Sequence, residues 1–315
     1  MRGLIIRSTG SWYEVSIEDG TIVKARIKGK MRLNKFKVTN PVAVGDWVNL
    51  ELEEDEENIA TIVSIEDRKN YVIRQSPRKK HYLHILAANI DQAILIITIR
   101  EPKLKQGFID RFLVMTSPYD IPVTIVFNKA DLYTEEDLEV YSYLRAVYTS
   151  IGYKVLLTSA TEDTGIEELK VTLKDKISMI SGQSGVGKST LVNRVQKNLQ
   201  LKTMELSDYT GKGQHTTTFA EMFDLEFGGK IIDTPGIKTL SYNHLEVMDI
   251  AHNFKEFFIV SKECKFGDCT HREEPKCAVK ECIENGEISE LRYQNYLAIL
   301  NEIEEQNYWE RNTDG

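Results

Sequence analysis

The sequence has no long hydrophobic run. Its uninterrupted apolar stretches are short, such as Ala93–Ile97, against the roughly 20 residues that span a bilayer. The opening residues show no apolar stretch leading to a small-residue cleavage site, so a cytoplasmic protein with no membrane partner is expected. Cysteine is scarce: the four in 315 residues all fall between 264 and 282. Disulfide frameworks spread through small secreted domains, so one tight cluster with a histidine inside it points to metal instead. Internal repeats and low-complexity segments are missing too. So is an excess of positive charge: the formal net charge is −8, which argues against a general nucleic-acid coat protein. What is present is an ordinary globular balance, 41% apolar and 28% charged. The length suits two domains of ~150 residues or three smaller ones.

The charge is sorted along the chain. Residues 1–80 carry 15 Lys/Arg against 12 Asp/Glu. Residues 24–37 hold seven bases and no acid: Lys24, Arg26, Lys28, Lys30, Arg32, Lys35 and Lys37. Arg26, Lys28, Lys30 and Arg32 alternate, so a strand puts them on one face, which suits phosphate contact. A merely solvated strand or loop is the competing reading. Residues 51–57 hold six acids and read as a solvated hairpin loop. About five short alternating segments within 1–70, punctuated by Asp19-Gly20, Gly29 and Val44-Gly45-Asp46, predict a small β-barrel of OB or SH3 type.

From about residue 88 the pattern changes to strand–helix alternation. Strands are expected at 93–99, 122–127, 154–157 and 176–180, and helices at 107–117, 134–148 and 164–174. Capping boxes from Thr134 to Asp137 and from Thr164 to Glu167 open the last two helices. Short, fully apolar strands between helices mean a parallel sheet covered on both faces. Beyond about 240 the chain is helical again. A final helix over 287–309 carries Ile288, Leu291, Leu297, Leu300 and Ile303 as its apolar stripe.

The sharpest motif is Gly182-Gln183-Ser184-Gly185-Val186-Gly187-Lys188-Ser189, a G-x-x-x-x-G-K-S between a strand and a helical segment that continues at Thr190. Glycines let backbone N–H groups close on phosphate, and the helix N-terminus adds partial positive charge. Lys188 suits the β- and γ-phosphates, and Ser189 suits Mg²⁺. Asp233-Thr234-Pro235-Gly236 follows an apolar strand. Asp233 there suits Mg²⁺ through water, and the Gly236 N–H suits the γ-phosphate. Asn128-Lys129-Ala130-Asp131 also ends a strand. A carboxylate at Asp131 accepts from guanine N1–H and the 2-amino group, which adenine lacks. Lys129 can pack on the base, Asn128 can meet its carbonyl edge, and Ser159-Ala160 can offer a backbone N–H to O6.

The order of these motifs is informative. The guanine loops precede the P-loop, which precedes the switch segments, so the α/β domain is a circularly permuted P-loop GTPase. Between the P-loop helix and Asp233 lies Gly211-Lys212-Gly213-Gln214-His215-Thr216-Thr217-Thr218, a glycine-rich polar loop of switch type. One of its threonines should bind Mg²⁺. Ile237 stands where an attacking-water glutamine is usual, and it cannot orient water. His215 is the leading candidate for that catalytic task, with Gln214 a lesser one.

Cys264-x₄-Cys269-x-His271-x₅-Cys277 supplies three thiolates and an imidazole. That is a closed tetrahedral set for one structural Zn²⁺. Cys282 is a fifth candidate, or an ordinary buried thiol.

Together these residues resemble the bacterial, ribosome small-subunit-dependent, circularly permuted GTPases of the RsgA (YjeQ, YloQ) family. The resemblance spans nearly the whole chain, including Val44-Gly45-Asp46-Trp47-Val48, the permuted motif order and the zinc spacing. It implies three domains: an OB-fold RNA-binding barrel at 1–70, a permuted GTPase domain at 71–240 and a mostly α zinc-binding domain at 241–315. By the match of Gly213–Thr218, His215 carries over as the catalytic histidine and Thr217 as the Mg²⁺ ligand beside Ser189, with Thr216 as the alternative. The implied partners are GTP/GDP, the small (30S) ribosomal subunit late in its assembly and 16S rRNA. GTP hydrolysis on the subunit would release the factor, which is expected to be monomeric. The competing readings are a nucleotide-gated RNA-binding module whose hydrolysis is incidental, a zinc-dependent enzyme and a P-loop ATPase.

Overall fold

The computed structural model describes residues 1–27, 38–53, 58–75, 83–196, 199, 220–234 and 245–313. The first five strands are β1 (Arg2–Ser8), β2 (Tyr13–Ile17), β3 (Ile22–Ile27), β4 (Trp47–Leu52) and β5 (Ile59–Ile65). They pair in the order β1-β2-β3-β5-β4, and β4 returns onto β1, so the sheet closes on itself. Only β3 and β5 run parallel within it. This is a five-stranded OB-type barrel, as its alternating pattern predicts. Val15, Val23, Ala25, Val48, Leu50, Ala60 and Ile62 fill it, while Lys24 and Arg26 of β3 point outward.

The Val44-Gly45-Asp46 turn ties the barrel to the backbone at Ala88. Gly45 has φ +94°, and a Cβ there would lie 2.0 Å from the Ala88 carbonyl oxygen, so no side chain fits. The Ala88 N–H donates to Val44 O. Asp46 is fully buried and accepts from the Ala43 N–H and from both arms of Arg68 at 2.7 Å. Two further strands, β6 (Tyr71–Gln75) and β7 (Leu83–Ala88), form a separate antiparallel hairpin.

The central sheet comprises β8 (Gln92–Ile97), β9 (Val123–Phe127), β10 (Lys154–Leu157), β11 (Ile177–Gly182), β12 (Glu221–Asp224) and β13 (Lys230–Asp233). Its order is β10-β9-β8-β11-β13-β12, parallel except for β12, which pairs antiparallel with β13. Helices α1 (Phe108–Thr116), α2 (Glu135–Ser150), α3 (Ile166–Leu173) and α4 (Lys188–Val195) cover it. Alternate residues of β8 and β9 enter two different cores: Ala93, Leu95, Ile97, Ile125 and Phe127 on one face, Ile94, Ile96 and Val126 on the other. That two-sided burial is why these strands read as unbroken apolar runs.

The capping box at Thr134–Asp137 forms. The one expected at Thr164–Glu167 does not. α3 begins one residue later than that box requires, with Gly165 in the left-handed region as its cap, and the Thr164 carbonyl accepts from the Ser159 N–H.

The C-terminal part holds α5 (Val247–Asn253), α6 (Lys255–Ser261), α7 (Ala278–Glu284) and α8 (Glu290–Thr313). The buried face of α8 contains Ile299, Leu300 and Ile303, but also Arg292 and Asn295, which a purely apolar stripe omits.

Candidate functional site

The C-terminal ends of β8, β9, β10, β11 and β13 lie along one edge of the central sheet, where parallel α/β sheets take their ligands. β11 runs into the P-loop, and α4 begins at Lys188 with Gly187 as its cap. Gly187 has φ +86°, and a Cβ there would meet the Asn128 amide nitrogen at 2.6 Å. Lys188 curls over the loop, its Nζ donating to Gly182 O at 3.1 Å and Gln183 O at 3.3 Å. Burial lowers its pKa, with Asp233 opposing. Gln183, Gly187 and Ser189 are half-buried, Val186 is buried, and Ser184, Gly185 and Thr190 are exposed. Burial pushes the Asp233 carboxyl up to about 6, against the pull of Lys188, and Glu221 adds to the rise. Asp233 is half-buried beside Lys188, and a divalent cation there would further favour its charged form.

Asn128 follows β9 and is 1% exposed. Its Nδ2 donates to Val186 O at 2.9 Å, and its Oδ1 accepts from Thr158 Oγ1 at 3.0 Å. Both ends of the amide are engaged by protein, and through Val186 O Asn128 braces the P-loop. Lys129 lies in the left-handed region, and its Nζ donates to Glu101 O at 2.7 Å. Asp131 is exposed and accepts from Ser159 Oγ at 2.6 Å. Burial works against ionisation here, but hydrogen bonds from Ser159 and Thr161 hold the Asp131 carboxyl below its ordinary value. An ionised acceptor at the mouth of the site is suited to a base edge presenting two donors. The Ser159 N–H is already given to Thr164 O, whereas Ala160 stands at the rim.

The second cluster is compact. The donor atoms of Cys264, Cys269, His271 and Cys277 all lie within 4.8 Å of one another. Cys264 Sγ is 3.7 Å from His271 Nδ1 and 3.9 Å from Cys277 Sγ, and His271 Nδ1 is 3.4 Å from Cys277 Sγ. Two sulfurs at ~2.3 Å from a tetrahedral zinc are ~3.8 Å apart, and a sulfur and a nitrogen ~3.5 Å, so this set could bind a zinc ion. Burial pushes the Cys269 thiol up to about 12, which a bound cation would reverse. The cluster is held from outside: Tyr293 Oη donates to His271 O and Tyr296 Oη to Thr270 O. Glu274 accepts from the Thr270 hydroxyl and from the Thr270 and Arg272 N–H groups; burial works against it, but these bonds, the hydroxyl's first, bring its carboxyl down to about 2. Cys282 is not in the cluster. It is half-exposed on α7, 3.5 Å from Glu287 Oε2, so it is neither a fifth ligand here nor a buried thiol.

On the barrel, Lys24 and Arg26 share one exposed face. Arg26 is held by Glu53, with bonds of 3.2 and 2.7 Å, and its guanidinium lies 5.6 Å from the Trp12 ring centre. Lys28, Lys30, Arg32, Lys35 and Lys37 lie outside the described residues, as do His215, Thr216, Thr217 and Gly236. Sequence reasoning missed the polar seam between the central and C-terminal helices, where Arg292 and Asn295 of α8 reach Asp110 of α1. Its partners are far apart in sequence and belong to no motif.

A P-loop strand that enters the chain after the guanine-loop strands, yet sits at the centre of their sheet, defines a circularly permuted P-loop GTPase domain. It stands between an OB barrel and a helical domain bearing a Cys₃His cluster. Residues 2–60 match the RsgA N-terminal domain and residues 65–243 the RsgA GTPase domain, and the chain belongs to the RsgA GTPase family. It is 50% identical over 301 residues to the small ribosomal subunit biogenesis GTPase RsgA of Flavobacterium psychrophilum, covering 95% of this chain and 92% of that one. It is 49% identical over 308 residues to the small ribosomal subunit biogenesis GTPase RsgA 2 of Bacteroides thetaiotaomicron, covering 98% and 99%. Among solved structures it resembles YjeQ from Thermotoga maritima, with a TM-score of 0.77, 36% identity and coverage of 96% and 98%. It also resembles YloQ, described as a circularly permuted GTPase, with a TM-score of 0.72, 29% identity and coverage of 97% and 95%.

Proposed function

We propose that the chain is a ribosome-biogenesis GTPase that binds the small (30S) subunit late in assembly and hydrolyses GTP there to drive its own release. The observation that carries the chemistry is the meeting of a guanine-type carboxylate, Asp131, with a P-loop that Asn128 braces from the same strand end. The ribosomal partner is supported by full-length similarity to curated small ribosomal subunit biogenesis GTPases.

In this reading Asp131 accepts from guanine N1–H and the 2-amino group, and the Ala160 N–H donates to O6. Lys129 leaves the Glu101 carbonyl to pack on the base. Gly182 to Thr190 cradle the phosphates, with Lys188 swinging from the loop carbonyls to the β- and γ-oxygens. Ser189 and Thr217 hold Mg²⁺, Asp233 holds it through water, and Gly236 meets the γ-phosphate. His215 positions the attacking water in place of the glutamine that Ile237 replaces. Cys264, Cys269, His271 and Cys277 hold one structural Zn²⁺. The barrel, with Lys24 and Arg26 leading into the basic tract, contacts 16S rRNA. The domains are 1–70, 71–240 and 241–315, in a cytoplasmic monomer.

The test is phosphate release from GTP and from ATP, with and without purified small subunits. Turnover of GTP alone, rising strongly with subunits, is the expected result. Equal use of ATP overturns the guanine reading. GTP turnover indifferent to subunits overturns the partner.

A further inference from the structure

The barrel and the GTPase sheet meet along one row of side chains. β1 joins β12 at a single pair, Arg7 opposite Glu221, and Glu221 lies opposite Asp233 of β13. On the other side of β1, Arg7 lies opposite Glu14 of β2, itself opposite Lys24 of β3. Residues directly opposite across paired strands project from the same face. Asp233, Glu221, Arg7, Glu14 and Lys24 therefore form one charged row across five strands. The Arg7 guanidinium sits between its neighbours, with Nη1 3.5 Å from Glu14 Oε1 and Nε 3.7 Å from Glu221 Oε2. Among the described residues, Arg7 is the cation paired with Glu221.

Like charges directly opposite each other repel. Glu221 beside Asp233 adds negative charge where the site must admit an anionic nucleotide. The charge that offsets it comes from another domain. We propose that Arg7 is a positioning residue of the GTPase site, supplied by the barrel: it neutralises Glu221 beside Asp233, so the seat of β1 on β12 sets the charge that magnesium-bound GTP meets. This rests on the reading of Asp233 as the carboxylate on the metal side. Arg7 touches no reacting atom and acts through Glu221. Couplings between binding events are reciprocal, so a partner that lifts the barrel off β12 weakens GTP binding, and bound GTP holds the barrel down.

The test is steady-state GTP hydrolysis by the full chain at saturating Mg²⁺, where slow chemistry makes KM report binding. Arg7→Ala is expected to raise KM about two- to fivefold with kcat little changed, the scale of a partly exposed ion pair. Glu221→Gln lowers KM, and in its background Arg7→Ala has no further effect. Arg7→Lys keeps the charge and restores the wild-type KM. Arg2→Ala, which loses an ion pair with Glu66 elsewhere on β1, leaves KM unchanged. The proposal fails if Arg7→Ala leaves KM unchanged, raises it equally beside Glu221→Gln, or is matched by Arg2→Ala. Asp233→Asn tests the premise separately: Mg²⁺-dependent hydrolysis that survives it overturns the reading of Asp233, whatever Arg7 does.

Discussion

Arg292 of α8 donates to Asp110 of α1 although 182 residues separate them in sequence, and their side chains are 2% and 0% exposed. The rest of the network satisfies both groups. Tyr148 and Asn295 also donate to Asp110, while Arg292 forks onto Glu256 at 2.7 and 3.0 Å and lies over the Phe254 ring at 4.3 Å. Burial alone would lower the Arg292 pKa, but Asp110 and Glu256 raise it. One buried cation thus joins the GTPase helices to the helices around the Cys₃His cluster.

Breaking that pair should destabilise the fold strongly. Removing Arg292 strands both Asp110 and Glu256, at about 3–5 kcal/mol, whereas removing Asp110 leaves Arg292 still forked onto Glu256. Arg292→Met is expected to lose that much in urea unfolding, and Asp110→Ala less, because Arg292 keeps Glu256. The double variant should lose clearly less than the sum, because Asp110 is no longer there to be stranded and only Glu256 loses its partner. Single variants within about 0.5 kcal/mol of wild type, the range of ordinary surface changes, would show that the seam contributes little.

Which parts were legible depends on where their information lies. The P-loop, the guanine loops and the Cys/His set are local: each needs only a short stretch of chain in a strand-end or loop context. The barrel was legible because one-sided burial makes strands such as β3 alternate. The Arg292–Asp110 seam was not, since its members carry no local signature and burial of charge is set by packing. Thr164 is not the cap because α3 starts one residue further on, at a left-handed Gly165. Asn128 was placed at the right strand end, but its direction depends on the approach of Val186, 58 residues away. The Arg7–Glu221 rung needs a strand register between domains, which no pattern within either strand encodes.

Asp131→Asn should change the base that is read. The carboxylate accepts twice from guanine, whereas an amide presents one acceptor and one donor, matching the N1–H and 2-oxo edge of xanthine. Affinity for GTP is expected to fall roughly 10- to 100-fold, the cost of about 1–3 kcal/mol for unmatched buried polar groups. Affinity for XTP should rise. Nucleotide titrations check both. A variant that keeps full GTP preference places the base elsewhere.

The Cys₃His cluster should carry one zinc per chain, read by elemental analysis of protein purified without chelator. Cys269→Ser is expected to lose the metal and to unfold residues around 264–277 first, seen as faster proteolysis there. Cys282→Ser should keep full metal content, because its sulfur lies apart, beside Glu287. Loss of zinc in the Cys282 variant would mean that it does ligate.

The acidity of Asp233 gives a pH dependence with a definite sign. Burial lifts its carboxyl from an ordinary 3.8 to about 6, so between these values the folded chain holds a proton that the unfolded chain has released. Stability from this group is therefore present below about pH 4, falls as pH rises toward 6, and is level above that. The full difference is about 3 kcal/mol. Asp233→Asn removes the titration without changing the shape. In nucleotide-free protein, the stability of the variant relative to wild type should grow by up to about 3 kcal/mol between pH 4 and 7. Mg²⁺ with nucleotide adds a second cation beside the carboxylate, so the growth should shrink when both are added. Hydrolysis should weaken as pH drops through about 6, where protonated Asp233 no longer attracts the metal. A variant-minus-wild-type difference that stays flat from pH 4 to 7 would mean that the carboxylate is already compensated inside the free protein. Lys188 is the cation positioned to do that, and the Lys188→Met variant would then restore the slope.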